Sequence, residues 1–174
     1  MAKKNKRGSK APVQALPNYH ARDKWFTAAK VFLTLSPLIT LGYLQTAATG
    51  SNMQLAELLT ASPETTVTFL AAMTGPFVAY LMKFVQSHLY EGDAAYAMTN
   101  LMLMMIGEAM LYNTVYFIMM IVLMYFVFSM TGMNPFTAIR QKWSDHFLRD
   151  ISGSIVLLLI CGFCMFVSMR LGMR

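Results

Sequence analysis

Long apolar stretches divided by short polar segments dominate the chain after residue 24. A bilayer core of about 30 Å needs about 20 apolar residues in helical form. The pattern therefore predicts an all-α fold, a polytopic transmembrane helical bundle. We predict five spans, near residues 25–46, 66–85, 94–112, 114–131 and 151–169.

The middle of the chain leaves an alternative open. Residues 94–131 are 38 residues with one charged side chain, Glu108. A single helix of this length would measure about 57 Å, nearly twice the hydrocarbon thickness. We therefore predict two spans that turn near Tyr112, Asn113 and Thr114. The alternative is one span with a long extension, which gives four spans in total.

Local signals predict where individual helices begin. Ser62 followed by Pro63 and Glu64 is typical of a helix start, with Ser62 as the N-cap. Near residues 135–149 the aromatic and apolar positions recur at spacings of three and four, which indicates one face of a short helix. These positions are Phe136, Ile139, Trp143 and Phe147. We predict an interfacial amphipathic helix; the alternative is a soluble helix packed on a partner protein.

Composition agrees with this assignment and excludes two classes of protein. Hydrophobic residues make up 56% of the chain and charged residues 13%. A soluble domain is nearer 45–50% apolar and about 25% charged, so an ordinary soluble enzyme is excluded. A disordered chain needs the opposite composition. Two cysteines are too few for a disulfide scaffold.

Positive charge is concentrated at the N-terminus. Eight of the 14 Lys and Arg residues lie in residues 1–30. We predict that residues 1–24 form a basic, disordered cytoplasmic arm and that residues 25–174 form the transmembrane domain, because cations are retained on the cytoplasmic side. This indicates a multi-pass protein of the cell (plasma) membrane. The Lys and Arg residues are also suited to anionic lipid head groups; no aromatic residues interleave with them, so nucleic acid is not a predicted partner.

Glu108 is the most informative polar residue. An ionised carboxylate in the bilayer is costly, so such a group is protonated, paired or facing water. Asn100 and Asn113 extend the same polar line, and Tyr112 shares its face if the helix is continuous. The functional interpretation is an intramembrane proton or cation site. The alternative is a neutral acid that holds helices together by a hydrogen bond.

Small residues and prolines indicate how the second span packs. Ala71, Gly75 and Ala79 recur every four residues and form a face that another helix can approach closely. Pro76 in the second span and Pro37 in the first predict kinks, because proline cannot donate a backbone hydrogen bond.

Sulfur-containing residues are frequent but give no strong chemical signal. Cys161 and Cys164 form a C-x-x-C pair, yet they lie in the middle of a predicted span, where burial suppresses the reactive thiolate. Among the 17 methionines a cluster stands out; we interpret it as packing because its side chains diverge on a helix. The cluster is Met102, Met104, Met105, Met119 and Met120. We predict no metal site and no cofactor.

The sequence leaves three function classes open. No catalytic motif is present, so an enzyme is not favoured. The preferred hypothesis is a non-enzymatic accessory or assembly subunit that binds a larger membrane partner or a second copy of itself in the lipid bilayer. The alternative is a small oligomeric transporter or channel that uses Glu108. The third is a membrane thiol-redox protein that uses Cys161 and Cys164.

Overall fold

Seven helices make up the described part of the chain. The computed structural model describes residues 19–142 and 147–170, and it contains no strand within these ranges. The helices are α1 (Tyr19–Gly50), α2 (Leu55–Ala61), α3 (Pro63–Tyr90), α4 (Ala94–Met110), α5 (Thr114–Thr131), α6 (Pro135–Lys142) and α7 (Phe147–Arg170).

Four helical segments are long and apolar enough to cross a membrane. They are Asp23–Gly50, Pro63–Tyr90, Thr114–Thr131 and Asp150–Arg170. The chain is therefore a small multi-pass membrane protein with an all-helical fold. The predicted span near residues 94–112 corresponds to α4, which has 17 residues and is not among these four segments. The prediction of five spans is not confirmed.

The apolar middle of the chain forms two helices rather than one. α4 ends at Met110, and Tyr112 adopts the left-handed conformation with φ 55°, which a continuing helix does not allow. The backbone N–H of Asn113 donates to the carbonyl of Glu108 at 3.1 Å, and α5 begins at Thr114. The predicted turn near Tyr112–Thr114 is confirmed, and α4 and α5 pack against each other as a helical hairpin.

Short connections make successive long helices run in alternate directions. One end of the bundle carries α2, the turn at residues 111–113 and the C-terminus of α7; we call it the α2 end. The opposite end carries α6, the loop at residues 91–93 and the start of α1; we call it the α6 end. α4 runs from the α6 end to the α2 end.

α4 is the central helix of the bundle. Ten of its 17 residues are buried, against four of the 18 residues of α5. It packs against α3, α5, α6 and α7, whereas α1 packs mainly against α3. An element enclosed on several sides can carry polar side chains that lipid would not tolerate, and α4 holds buried Thr99, Asn100 and Glu108.

The helix boundaries confirm one predicted start and correct others. Ser62 caps α3: its hydroxyl accepts a hydrogen bond from the Thr65 N–H at 3.4 Å, and Pro63 is the first helical residue. α1 already begins at Tyr19, inside the predicted basic arm. Residues 1–18 of that arm lie outside the described residues.

Only part of the predicted helix at residues 135–149 can be compared with the structure. α6 covers Pro135–Lys142, residues 143–146 lie outside the described residues, and Phe147 is the first described residue of α7. Ala138 is fully buried and α6 packs on α4, while Phe136 is 78% exposed. The interfacial amphipathic helix is not confirmed, and Trp143 lies outside the described residues.

The small-residue face of α3 lies against α1. A Cβ added to Gly75 would lie 2.6 Å from the Leu33 carbonyl oxygen and 3.0 Å from the Ser36 Cβ. Pro37, four residues after Leu33, leaves that carbonyl without its helical donor. Gly75 and Pro37 together therefore allow two backbones to meet closely, with Ala79 also buried and Ala71 half-buried.

Candidate functional site

Glu108 lies inside the bundle, near the end of α4 at the α2 end. Its side chain is 1% exposed. Among the residues that the structure describes, its Oε2 atom has no hydrogen-bond partner. A buried carboxyl oxygen without a donor favours the neutral, protonated form, because an ionised group there would cost several kcal/mol.

Of the predicted companions of Glu108, Asn113 lies next to it and Tyr112 does not. The Asn113 side chain is placed to donate a hydrogen bond to the Glu108 carboxyl. Tyr112 is 74% exposed and sits in the turn. The sequence predicts that Tyr112 shares a helix face with Glu108 only in a continuous helix, and that condition is not met because α4 stops at Met110.

Asn100 takes part in a separate contact two turns away from Glu108. The Ser154 hydroxyl donates to the Asn100 Oδ1 at 2.6 Å. The Asn100 amide donates to the carbonyls of Tyr96 at 3.1 Å and Asp150 at 3.3 Å. This side chain therefore links α4 to α7 at the α6 end and is well satisfied.

We expect Ser154→Ala to lower the free energy of unfolding by about 0.5–1.5 kcal/mol, because it leaves the buried Asn100 carbonyl without its donor. Unfolding in detergent by sodium dodecyl sulfate, followed by circular dichroism, measures the change. Thr99→Val is the control, since within the described residues the Thr99 hydroxyl is buried with no partner. The control should cost nothing; an equal loss in both variants would contradict the assigned role of Ser154.

A cavity of 1020 Å³ lies between α1, α3, α5 and α7 at the α2 end. Its walls are mostly apolar, and the turn between α4 and α5 forms part of its lining. The polar residues that line it are Ser36, Thr40, Glu64, Thr68, Asn113 and Ser168. Because Asn113 also lies beside Glu108, the cavity and the buried carboxyl belong to one site.

The electrostatic character of the cavity depends on one carboxylate in its described lining, Glu64. Among the described residues that line it, Glu64 is the one charged side chain, and neither Lys nor Arg is present. A low-dielectric cleft with one sign of charge concentrates counter-ions, here cations.

The bundle is closed on the α6 side of the cavity. Fully buried side chains fill the space between the helices there, among them Leu33, Val78, Met98, Leu101 and Leu157. The prolines inside α1 and α3 lie at the boundary between the open and the packed halves. Pro37 follows the lining residue Ser36 directly, and Pro76 lies one turn from the lining residue Ala72.

Sulfur atoms line the same cavity. Cys164 is a lining residue, and Cys161 lies one turn deeper on α7, where its Sγ is 3.3 Å from the position of a Cβ on Gly107. Met110 also lines the cavity, and its Cε is 3.4 Å from the position of a Cβ on Gly162. Both cysteines are free thiols.

A polar cluster between α1 and α3 at the α6 end was missed by sequence reasoning. The Gln86 amide donates to Asp23 and to the Tyr90 hydroxyl, which itself donates to Asp23; Lys30 donates to the Gln86 carbonyl. The spacing of these residues could have indicated the cluster. Gln86 and Tyr90 are four residues apart on α3, and Asp23 and Lys30 are seven residues apart on α1, so that each pair lies on one face of its helix.

Comparison of this chain with protein-family models, with curated proteins and with solved structures gives no match.

Proposed function

We propose that this protein is a small cation transporter of the cell membrane, in which the cavity at the α2 end admits the ion and Glu108 exchanges it for a proton. One observation carries the proposal: a cavity of 1020 Å³ reaches Asn113, beside a buried Glu108 carboxyl oxygen that has no partner among the described residues. An intramembrane carboxyl group on a cavity is typical of proton relays and ion paths.

The chemistry of exchange follows from burial. With the cavity empty, Glu108 holds its proton because the described residues of the cavity lining include no positive side chain to pair with a carboxylate. A cation that enters past Glu64 supplies the missing countercharge and favours release of the proton. The Asn113 side chain lies beside the carboxyl group and can orient it in either state.

Access from the other side requires a second arrangement of the helices. Pro37 and Pro76 lie where the cavity meets the packed core, so bending of α1 and α3 at these positions can open the α6 side. The close contact between Gly75 and Leu33 keeps the two kinked helices together as they move.

The proposed topology has five crossings, with the N-terminus in the cytoplasm. α4 connects α3, which ends at the α6 end, to α5, which begins at the α2 end. Its length of about 25 Å is close to the thickness of the hydrocarbon core. Among the described cations, Lys24, Lys30, Lys83 and Arg140 lie at the α6 end and Arg170 lies at the α2 end. The excess of cations at the α6 end supports its assignment to the cytoplasmic side.

Proton release from proteoliposomes tests the transport function. Liposomes with the purified protein and a trapped pH-sensitive dye are exposed to nitrate salts of Na⁺, K⁺, Ag⁺ and tetraphenylphosphonium. At least one of these cations should raise the internal pH faster than in protein-free liposomes. If none of the four does so, the protein is not a proton-coupled transporter of these cations and the proposal falls.

Two neighbouring tryptophan variants test whether the cavity is the route. Ala71 lines the cavity, and its replacement by tryptophan should slow proton release several-fold by occupying the space. Leu70 is adjacent, exposed on the outer face of α3 and not part of the lining. Leu70→Trp should therefore retain the rate of the wild type, and similar rates in the two variants would place the route elsewhere.

The accessory-subunit hypothesis has lost part of its support. It depended on the small-residue face of α3 as a contact for another protein, and α1 covers that face at Gly75. Stoichiometric co-purification of a membrane partner in mild detergent would revive it. We also propose that the N-terminal Lys and Arg residues bind anionic lipid head groups. This binding is compatible with either function.

A further inference from the structure

We infer that the cavity at the α2 end binds a hydrophobic organic monocation, such as a quaternary phosphonium or ammonium ion that carries aryl or alkyl groups. The inference rests on the proposed function and deepens it, because it names the substrate class of the same cavity. Three properties of the described lining carry it together: the size of the cavity, its apolar and aromatic walls, and its one charged side chain.

The volume of the cavity fits an organic molecule. At 1020 Å³ it lies at the upper end of the range of about 300–1,000 Å³ that is typical of pockets for small organic ligands. An inorganic cation instead requires several ligands that close around it and replace its water. Within the described residues, no group of three or more His, Cys, Asp and Glu could hold a metal ion. A ligand that brings its own apolar surface therefore suits this space better.

Apolar side chains form most of the cavity wall and come from several helices. Among them are Val67 and Ala71 of α3, Leu111 and Val115 on either side of the turn between α4 and α5, and Met165 of α7. Removal of apolar surface from water is favourable and non-directional, so these side chains need not converge on one atom of the ligand. The wall is therefore suited to aryl and alkyl groups of varied shape.

Two aromatic rings add an attraction for positive charge. Phe32 of α1 and Tyr116 of α5 both line the cavity, and their ring centroids are 5.5 Å apart at an interplanar angle of 73°. Phe32 is 42% exposed, so part of its ring is not covered by protein. The face of an aromatic ring is negative and attracts a cation, which favours a cation over a neutral or anionic molecule of the same shape.

The charge of the lining favours a single positive charge on the ligand. Glu64 is exposed in the first turn of α3, at the α2 end, and the described lining has neither Lys nor Arg. One carboxylate and one monocation have no net charge, and apolar walls accept such a pair more readily than the surplus charge of a dication. The same balance holds deeper in the cavity, where Glu108 becomes the carboxylate once its proton has left. A large cation also loses less hydration energy on entry, because its charge is spread over a larger radius.

Binding of tetraphenylphosphonium to the full-length protein in detergent tests the inference. Equilibrium dialysis, corrected for partition into protein-free micelles, should give one bound ion per chain. Tetraphenylborate has the same shape and the opposite charge, and after the same correction it should bind at least tenfold more weakly. Equal binding of the two ions would overturn the inference, because the cavity would then be a general apolar space of the kind that a lipid chain fills.

Two variants with matched controls locate the bound ion. Glu64→Gln and Phe32→Leu should each weaken tetraphenylphosphonium binding roughly three- to fivefold, as expected for loss of an exposed ion pair or cation–π contact. Glu57→Gln removes an exposed carboxylate of α2 at the same end, and Phe163→Leu changes an exposed ring of α7; neither residue is in the described lining, so both variants should bind as the wild type does. Wild-type affinity in both Glu64→Gln and Phe32→Leu would place the bound ion elsewhere and overturn the site.

Binding and transport can fail separately. Tetraphenylphosphonium binding without proton release by any of the four cations keeps the binding site and rejects transport. Proton release driven by Na⁺ or K⁺ without tetraphenylphosphonium binding keeps transport and rejects the inferred substrate class.

Discussion

Glu108→Gln is expected to reduce cation-driven proton release to the level of protein-free liposomes. Glutamine has the size and shape of glutamic acid and can still contact Asn113, but it cannot take up or release a proton. Because Glu108 is buried and its Oε2 has no donor within the described residues, the neutral amide replaces a neutral acid and the fold should persist. The rate of internal pH change in proteoliposomes measures the effect.

The control for this prediction is Glu91→Gln. Glu91 is exposed at the α6 end, outside the spanning helices, and its replacement by glutamine also removes one carboxyl group. Its variant should release protons at the rate of the wild type. Undiminished release in Glu108→Gln would instead show that Glu108 is a neutral structural acid, and the exchange mechanism would lose its proton carrier.

Gly75→Ala is expected to lower the free energy of unfolding by about 1–3 kcal/mol, because a small-to-large change at a tight contact forces the backbone to shift. The new Cβ would lie 2.6 Å from the Leu33 carbonyl oxygen, and α1 would have to move away from α3. Unfolding of the detergent-solubilised protein by sodium dodecyl sulfate gives the difference.

Gly42→Ala is the control, because it makes the same chemical change at a position with space for the added methyl group. No atom lies within 4 Å of the position that a Cβ would take on Gly42 in α1. Alanine should there stabilise the helix by about 0.5–1 kcal/mol, because glycine loses more conformational freedom on folding. Stability changes of the same sign in the two variants would argue against a close α1–α3 contact at Gly75.

The features that could be predicted from sequence are those that depend on neighbours along the chain. The cap at Ser62 with Pro63 requires only local geometry, and the break near Tyr112 follows from the length that a single helix would have. The four long apolar helices follow from the hydropathy averaged over successive stretches of the sequence. These signals need no knowledge of which helices meet.

The remaining features depend on tertiary contacts that periodicity does not encode. α4 and α5 are similar in length, yet α4 is central and α5 peripheral. The sequence pattern groups Asn100 with Glu108 on α4. In the structure the partner of Asn100 is Ser154 of α7, and the sequence does not show that these two residues meet. The cavity is invisible in the sequence because it arises from the space that four helices leave between them.

The link between Asn100 and Ser154 has a consequence for biogenesis. α4 leaves the ribosome well before α7, so the Asn100 side-chain carbonyl meets its hydroxyl partner only when α7 arrives. Until then this carbonyl has to be satisfied in another way or carries an energetic cost in hydrocarbon. Insertion of α7 is therefore the step that completes the hydrogen bonding of α4 at this position.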